Sequence, residues 1–374
     1  MSKDVEELLS RGVAEGVGLD ELKEKLLSGE KLRIKLGIDP TGPDIHLGHA
    51  VSLMKLRDFQ EAGHQAVLIV GDFTAQIGDT SDKESERPML EREVIEENKK
   101  NYFAQAGKLI DIDKTELKHN SEWLEPLTYR EICEHANAFS LSDFIARDNI
   151  KRRLDAGKRI SLTEVLYPLM QGYDSVAVEA DVELGGQDQW FNLLAGRTLQ
   201  EKFGQKPQAV LTTPLIPGLD GRKMSKSYGN AVSLSDSPHD MFGKLMSLDD
   251  EHVATYFEYC TRISFEEVEA IVKGHPKEAK MRLAFEITKI YHGEEAAEKA
   301  KENFEETFSK GGVPKDIPVA RVPSGTLLVD ILLEQGLVSS KTEFNRLNEA
   351  GAIKEIESGV YRVGKHRFLK VEFE

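Results

Sequence analysis

The sequence predicts an α/β protein: a parallel-sheet domain with a helical insertion, then an α-helical domain, then a small α+β unit at the C-terminal end. Three observations predict it. A strand, a loop, a helix and a second strand fit within about 40 residues near the start, the length of a βαβ unit. Two long stretches, about 89–160 and 236–310, read mainly as helix. The last 50 or so residues carry short helix and strand signals close together. A chain of 374 residues is too long for one small core. The expected boundaries are 1–235 for the sheet domain, 236–310 for the helical domain, 311–323 for a linker and 324–374 for the terminal unit.

In chain order, residues 1–30 read as amphipathic helix, with Leu8, Leu9, Leu22, Leu26 and Leu27 at apolar positions. Leu32 to Ile38 alternates like a strand and runs into Asp39-Pro40, a loop start. Leu47 to Ala62 is a helix, with Gly63 where a C-cap glycine belongs. Ala66 to Val70 is an apolar run suited to a strand buried on both faces. Met89 to Ala156 reads as mostly helical, and Leu162 to Val178 as a helix that Pro168 should kink. Ala209 to Ile216 is a strand, followed by a loop from Pro217 to Asn230 that carries three glycines. Met241 to Phe308 is helical with interruptions, and Gly311 to Pro323, rich in proline and glycine, reads as linker. Leu327 to Gln335 is a short helix, and Ser340-Lys341-Thr342-Glu343 a capping box that opens another. Segments 352–356, 360–363 and 368–373 suggest a small sheet.

Composition narrows the class. Hydrophobic residues at 40% and charged residues at 30% describe a globular protein, and no apolar run is long enough to span a bilayer. Cys133 and Cys260 are the two cysteines, too few for a disulfide framework or a CxxC zinc signature, and a cytoplasmic location is expected. The net charge of −16 argues mildly against a nucleic-acid partner. From Arg321 to Glu374, however, eight Lys/Arg balance eight Asp/Glu, so a local RNA-binding patch is compatible with the total.

Two segments carry chemistry. Gly37-Ile38-Asp39-Pro40-Thr41-Gly42-Pro43-Asp44-Ile45-His46-Leu47-Gly48-His49 puts two histidines, three apart, at a helix N-terminus, where free N–H groups and the dipole favour phosphate. Gly48 between them permits close approach to the backbone. A pair of capping histidines is the plainer alternative; a metal site is disfavoured, because no third ligand lies nearby. Gly221-Arg222-Lys223-Met224-Ser225-Lys226-Ser227-Tyr228-Gly229 puts two lysines in a flexible loop that could place cations on departing pyrophosphate. A solvated basic loop is the alternative there.

Together, HLGH and the later KMSKS resemble the paired signatures of class I aminoacyl-tRNA synthetases, which implies a Rossmann-type catalytic domain. The helix Leu166 to Asp174 has Tyr167, Gln171 and Asp174 at i, i+4 and i+7, so a phenol, an amide and a carboxylate share one face. The alternative is an ordinary core face. This run resembles the substrate helix of bacterial tyrosyl-tRNA synthetases, and the resemblance covers essentially the whole chain. It implies that Tyr167 and Gln171 hold the α-amino group of L-tyrosine and that Asp174 accepts its phenolic hydroxyl. It places Thr74 and Asp79 near the amino group, Gln189 near the reacting carboxylate and Asp188 on the ribose, with Gly186 letting the backbone close on the nucleotide. Gly37, Asp39, Thr41, His46, Gly48, His49, Lys223, Lys226 and Ser227 form the ATP side, and Lys83 and Arg87 a mobile pyrophosphate-holding element. Thr41, His46, His49, Lys223 and Lys226 are the expected catalytic set.

The same resemblance implies Mg²⁺ arriving with ATP, no zinc, tRNA(Tyr) as partner, and a homodimer formed through the insertion. It also implies an anticodon-binding role for 236–310 and an S4-like RNA-binding domain at 324–374; neither a membrane nor DNA is implied. Lys35 stands where many members have a tyrosine that touches the substrate hydroxyl, and Leu36 replaces a frequent cysteine. With the Leu of HLGH, these two resemble a second bacterial subgroup. Thr80 and Asp82 stand where Pro and Gly are common in the family's mobile loop. Tryptophanyl-tRNA synthetase and a non-catalytic RNA-binding paralogue are the rivals; Asp174 and the terminal unit disfavour the first, and the intact motifs the second.

Overall fold

The computed structural model describes residues 5–79, 89–225, 228–306, 317–323, 325–364 and 367–373. They form two compact units: Met1–Ser235 with Ala254–Glu269, and Asp236–Val253 with Ala270–Glu374.

The first unit is built on a six-stranded sheet. Its strands are β1 (Glu15–Val17), β2 (Arg33–Ile38), β3 (Gln65–Val70), β4 (Glu116–His119), β5 (Val182–Gly186) and β6 (Ala209–Thr213), in the order β1-β6-β5-β2-β3-β4. All pairings are parallel except that of β1 with β6. β2 and β5 are neighbours, and the chain leaves them toward opposite edges. That is the topological switch point of an open α/β sheet, where a crevice opens outside the carboxyl ends of the strands. Ile34, Leu36, Val67, Leu68, Ile69, Val182, Leu184, Val210 and Leu211 are buried, as a parallel sheet covered on both faces requires.

The Leu47–Glu61 helix follows β2 and buries Leu47, Val51, Leu53, Met54 and Phe59. The Leu162–Ala177 helix precedes β5. It starts on a capping box between Ser161 and Glu164 and runs through Pro168 as one element. It packs along the Trp190–Lys202 helix. A Cβ on Gly172 would stand 2.9 Å from the backbone carbon of Ala195, so glycine permits that approach.

Four strands escape the sequence reading, among them β5, for which residues 182–186 give no strand expectation. β1 lies in the first 30 residues, read as helix, and β4 within the stretch read as mostly helical. The stretch read as linker contains β7 (Val319–Val322). β7 belongs to the four-stranded sheet of the second unit, with β8 (Ile353–Glu357), β9 (Val360–Val363) and β10 (Arg367–Phe373), in the order β7-β10-β9-β8. β7 pairs parallel with β10. Ala320 and Val322 enter the core beside Ile331, Leu332, Val363 and Leu369, while Pro318 and Pro323 bound the strand at its ends, where proline is tolerated. The capping box expected at Ser340 is half formed. Ser340 Oγ accepts from Glu343 N, but the Glu343 carboxylate accepts from Ser339 N and Oγ, one residue earlier than the motif places it. The second unit also holds the Pro276–His292 and Glu294–Phe304 helices, which pack on each other.

Gly172→Ala tests the helix contact by its sign. Helix propensity alone would stabilise the protein by about 1 kcal/mol, whereas overpacking against Ala195 should destabilise it by about 1–3 kcal/mol. Denaturant unfolding is expected to show the loss.

Candidate active site

The crevice above β2 and β5 receives residues from four chain segments. β2 ends at Ile38 and delivers Asp39, β3 is followed by Thr74 and Asp79, β5 by Asp188 and Gln189, and β6 by the loop with Lys223. Gly37 is exposed at the end of β2.

At the closed end, six side chains form a continuous hydrogen-bonded chain. Trp123 Nε1 donates to Asp174 Oδ1 at 2.8 Å, and Asn120 Nδ2 donates to Asp174 Oδ2 at 3.4 Å and to Thr74 Oγ1 at 2.9 Å. Thr74 Oγ1 donates to Asp39 Oδ1 at 2.7 Å, and the Tyr167 hydroxyl donates to Asp39 Oδ2 at 2.8 Å. Asp39, expected on the nucleotide side, thus stands where the two halves of the site meet. Gly71 lies against the Asp39 carboxylate and Thr74 Oγ1, with no room for a Cβ. Asp174 is buried, and burial pushes its carboxyl up to about 7, partly offset by the Lys35 cation and the donors Trp123 and Asn120. Burial, and then the neighbouring Asp39 charge, push the Tyr167 phenol well above its ordinary range, so it remains a donor.

Lys35 does not take the place of a substrate-touching tyrosine. Its side chain is 0% exposed, and Nζ lies 2.7 Å from Glu183 Oε1, 2.8 Å from Ser175 Oγ and 2.9 Å from the Gln171 carbonyl oxygen. Lys35 and Glu183 are register partners across β2 and β5. The Gln171 amide donates to Glu183 Oε1 at 3.3 Å, and Ser175 Oγ donates to Glu183 Oε2 at 2.9 Å. The helix face that bears Gln171 and Asp174 is therefore tied to the two central strands. Gln189 Nε2 donates to Asp79 Oδ2 at 2.7 Å, which joins the loops after β5 and β3.

At the open end, His46 is the N-cap of the Leu47–Glu61 helix and His49 its third residue, with their rings stacked at 3.9 Å. The plainer capping reading has its contact here: His46 N donates to His49 Nδ1 at 3.5 Å. A Cβ on Gly48 would stand 3.0 Å from the His46 ring. Gly48 N donates to Met224 Sδ at 3.3 Å, so the two motifs touch. They are also laced through the backbone: Leu47 N donates to Val232 O and Leu234 N to Ile45 O, each at 2.9 Å. Lys223 Nζ lies 3.7 Å from Asp188 Oδ2. Gly186 stands beside Asp188, whose Oδ1 would be 2.7 Å from a Cβ there. Thr41 sits in a tight turn, its N–H donating to Asp39 O at 2.8 Å. Lys83, Arg87, Lys226 and Ser227, with Thr80 and Asp82, lie outside the described residues.

A family model described as tRNA synthetases class I (W and Y) matches residues 27–309. The tyrosine–tRNA ligase of Thermotoga maritima is 44% identical over 97% of this chain and 96% of its own length. That of Ralstonia nicotianae is also 44% identical, over 98% and 99%. The chain belongs to the bacterial tyrosyl-tRNA synthetase family. Solved members share the fold: a mitochondrial enzyme of Aspergillus nidulans superposes with a TM-score of 0.69 at 22% identity, covering 81% of this chain and 94% of that one. The Archaeoglobus fulgidus enzyme, complexed with L-tyrosine, gives 0.63 at 25% identity, covering 80% and 100%.

Several residues of this synthetase's crevice carried no local signal in the sequence. Asn120 and Trp123 sit near β4, far from any motif. Asn230 is buried under the KMSKS loop: its amide donates to Asp220 Oδ1 and Lys223 O, and its Oδ1 accepts from Ser225 N. A buried asparagine closing a glycine-rich loop is the signal that could have marked it. For the ion pair, Lys35→Met should cost about 3–5 kcal/mol of stability, because Glu183 is left buried and unpaired. Lys35→Met with Glu183→Met should recover most of that loss in denaturant unfolding; equal losses in both would mean that the pair is not what the strands lean on.

Proposed function

We propose that the chain is a tyrosine–tRNA ligase that activates L-tyrosine with ATP and transfers the tyrosyl group to the 3′ end of tRNA(Tyr). One observation carries the reading: a buried carboxylate, Asp174, held by two donors and joined through Asn120 and Thr74 to Asp39, where the loop leading to the histidines begins. Burial grades along the site in the same sense. Asp174, Thr74 and Tyr167 are enclosed, as a small aromatic substrate requires, whereas His49 and Lys223 are exposed, as a triphosphate requires.

In the first step a tyrosine carboxylate oxygen attacks the α-phosphorus in line, forming tyrosyl-adenylate as the bond to pyrophosphate breaks. In the second, a ribose hydroxyl at the tRNA 3′ end attacks the activated carbonyl and AMP leaves. No covalent enzyme intermediate is required, so positioning and charge stabilisation carry the rate. Tyr167, Gln171, Asp79 and Thr74 surround the ammonium end of tyrosine, Asp174 accepts the phenol hydrogen, and Gln189 faces the carboxylate. Gly37, Asp39, Gly48, Gly186 and Asp188 line the nucleotide. Thr41, His46 and His49 meet the phosphates, and Lys223 and Lys226 with Ser227, joined by Lys83 and Arg87, neutralise departing pyrophosphate. Mg²⁺ enters with ATP on phosphate oxygens, which asks for no cage of protein carboxylates. A homodimer through the segment 89–160, RNA contacts from residues 236–310 and 324–374, and a cytoplasmic setting complete the reading.

ATP–pyrophosphate exchange measured with each of the twenty amino acids should be driven by tyrosine; exchange driven by tryptophan, or by none, would overturn the assignment. Asp174 adds a pH test. As pH falls through about 7 the carboxyl gains a proton and ceases to be a full acceptor for the phenol. Tyrosine affinity should therefore weaken by about tenfold from about pH 8 to about pH 6. Equilibrium dialysis should show that slope in the unaltered protein and none in Asp174→Asn, which should also lose its preference for tyrosine over phenylalanine.

A further inference from the structure

The loop that carries Thr41 to His46 has few means of holding its own shape. Pro40 and Pro43 have no N–H, and Gly42 restricts nothing. Leu234 N holds Ile45 O and Ser235 Oγ holds the Asp44 carboxylate on one flank, and further backbone groups turn to three side chains from the Arg92–Lys99 and Tyr102–Ala106 helices. Asn98 Nδ2 donates to Pro40 O at 3.0 Å, and the Tyr102 hydroxyl to Gly42 O at 2.8 Å. Gln105 Nε2 donates to Pro43 O at 3.0 Å, while Gln105 Oε1 accepts from Ile45 N at 2.8 Å. Asn98, Tyr102 and Gln105 are 8%, 3% and 6% exposed, and the bonds to Pro40 O and from Ile45 N are buried while the other two are partly so. Asn98 stands on the first helix and Tyr102 and Gln105 on the next, and all three reach the same loop. Three buried polar side chains that each bond backbone atoms of one loop are more than a core needs. An apolar face would pack as well and leave the loop free to move.

We propose that Asn98, Tyr102 and Gln105 are positioning residues for amino-acid activation: they hold the Pro40–Ile45 loop so that Thr41 and His46 meet the nucleotide's phosphates. The proposal rests on the reading of this loop as the phosphate side of the site. The residues touch no substrate; they act through Thr41 and His46. Gln105 grips the loop at the Ile45 N–H, one residue before His46, and at the Pro43 C=O, so it controls the approach of the histidine pair most directly. Tyr102 holds the carbonyl directly after Thr41. Their loss would let the Pro40–Pro43 part of the loop shift while the tyrosine pocket, built on Asp174, Asn120 and Thr74, stays in place.

The full chain with Gln105→Met or Tyr102→Phe tests this. In tyrosine-dependent ATP–pyrophosphate exchange, Gln105→Met should lower kcat by about ten- to a hundredfold, since misplacing a reacting group by about 1 Å has that effect. Tyr102→Phe, which removes one hydroxyl and threatens folding least, should lower kcat in the same direction. The tyrosine dissociation constant without ATP should stay within about twofold in both, as expected when the lost interaction acts in the transition state. In a Thr41→Ala background, Gln105→Met should cost much less than it does alone, because the two act in series. Unchanged kcat in both variants, tyrosine affinity falling in step with kcat, or a full additive cost beside Thr41→Ala would each overturn the proposal. Absence of tyrosine-dependent exchange in the unaltered protein would instead sink the reading of the site itself.

Discussion

One buried ion pair sets the stage for everything else in the crevice. Lys35 and Glu183 face each other across β2 and β5, the two strands between which the sheet reverses its winding, and both side chains are essentially without exposure. Such a pair is expensive to bury and tolerable only when hydrogen bonds satisfy what the pair itself does not. Here Ser175 and Gln171 do so from the Leu162–Ala177 helix, and Gln208 from beside β6 adds another donor to Glu183. Register and helix position are thereby fixed together. A slip of one residue would separate the charges and turn both strands over. Asp39, a short way beyond Lys35, and Asp188, just past the end of β5, owe their places to that register.

The pair also explains a substitution. At a position where the sequence resemblance implies a tyrosine on the substrate hydroxyl, this chain has a lysine that points into the sheet–helix interface. On the proposed reading, recognition of the phenol then falls to Asp174 and the donors that orient it, Trp123 and Asn120. Those donors, with the Lys35 charge, oppose the burial that drives Asp174 toward its neutral form. The same lysine therefore serves the frame by its contacts and the pocket by its field.

Much of this was legible in the sequence where a motif packs its meaning into a few adjacent residues. The strand–loop–helix around HLGH and the glycine loop with Lys223 fall at strand ends on one side of the sheet, and the Tyr167–Asp174 spacing gives one helix face. What escaped has physical reasons. β1 is three residues long and β4 four, too short to show alternation, and β4 owes its form to its neighbour β3. β7 lies between prolines that read as linker punctuation, although its alternate residues Ala320 and Val322 fill a core. Asn120, Trp123 and Asn230 act through contacts made in space. Asn98, Tyr102 and Gln105 read as ordinary polar positions on a surface helix until the loop beneath them is seen.

On the proposed reading the carboxyl ends of β2 and β5 are one continuous binding site, with the aromatic substrate enclosed beneath and the nucleotide open above. A crystal structure with a non-hydrolysable tyrosyl-adenylate analogue examines that continuity in one view. The phenolic oxygen should lie within hydrogen-bonding distance of Asp174, with the ribose beside Asp188 and the phosphate mimic facing His46 and Lys223. An analogue bound with its ring away from Asp174, or with its adenosine outside the crevice between β2 and β5, would contradict it.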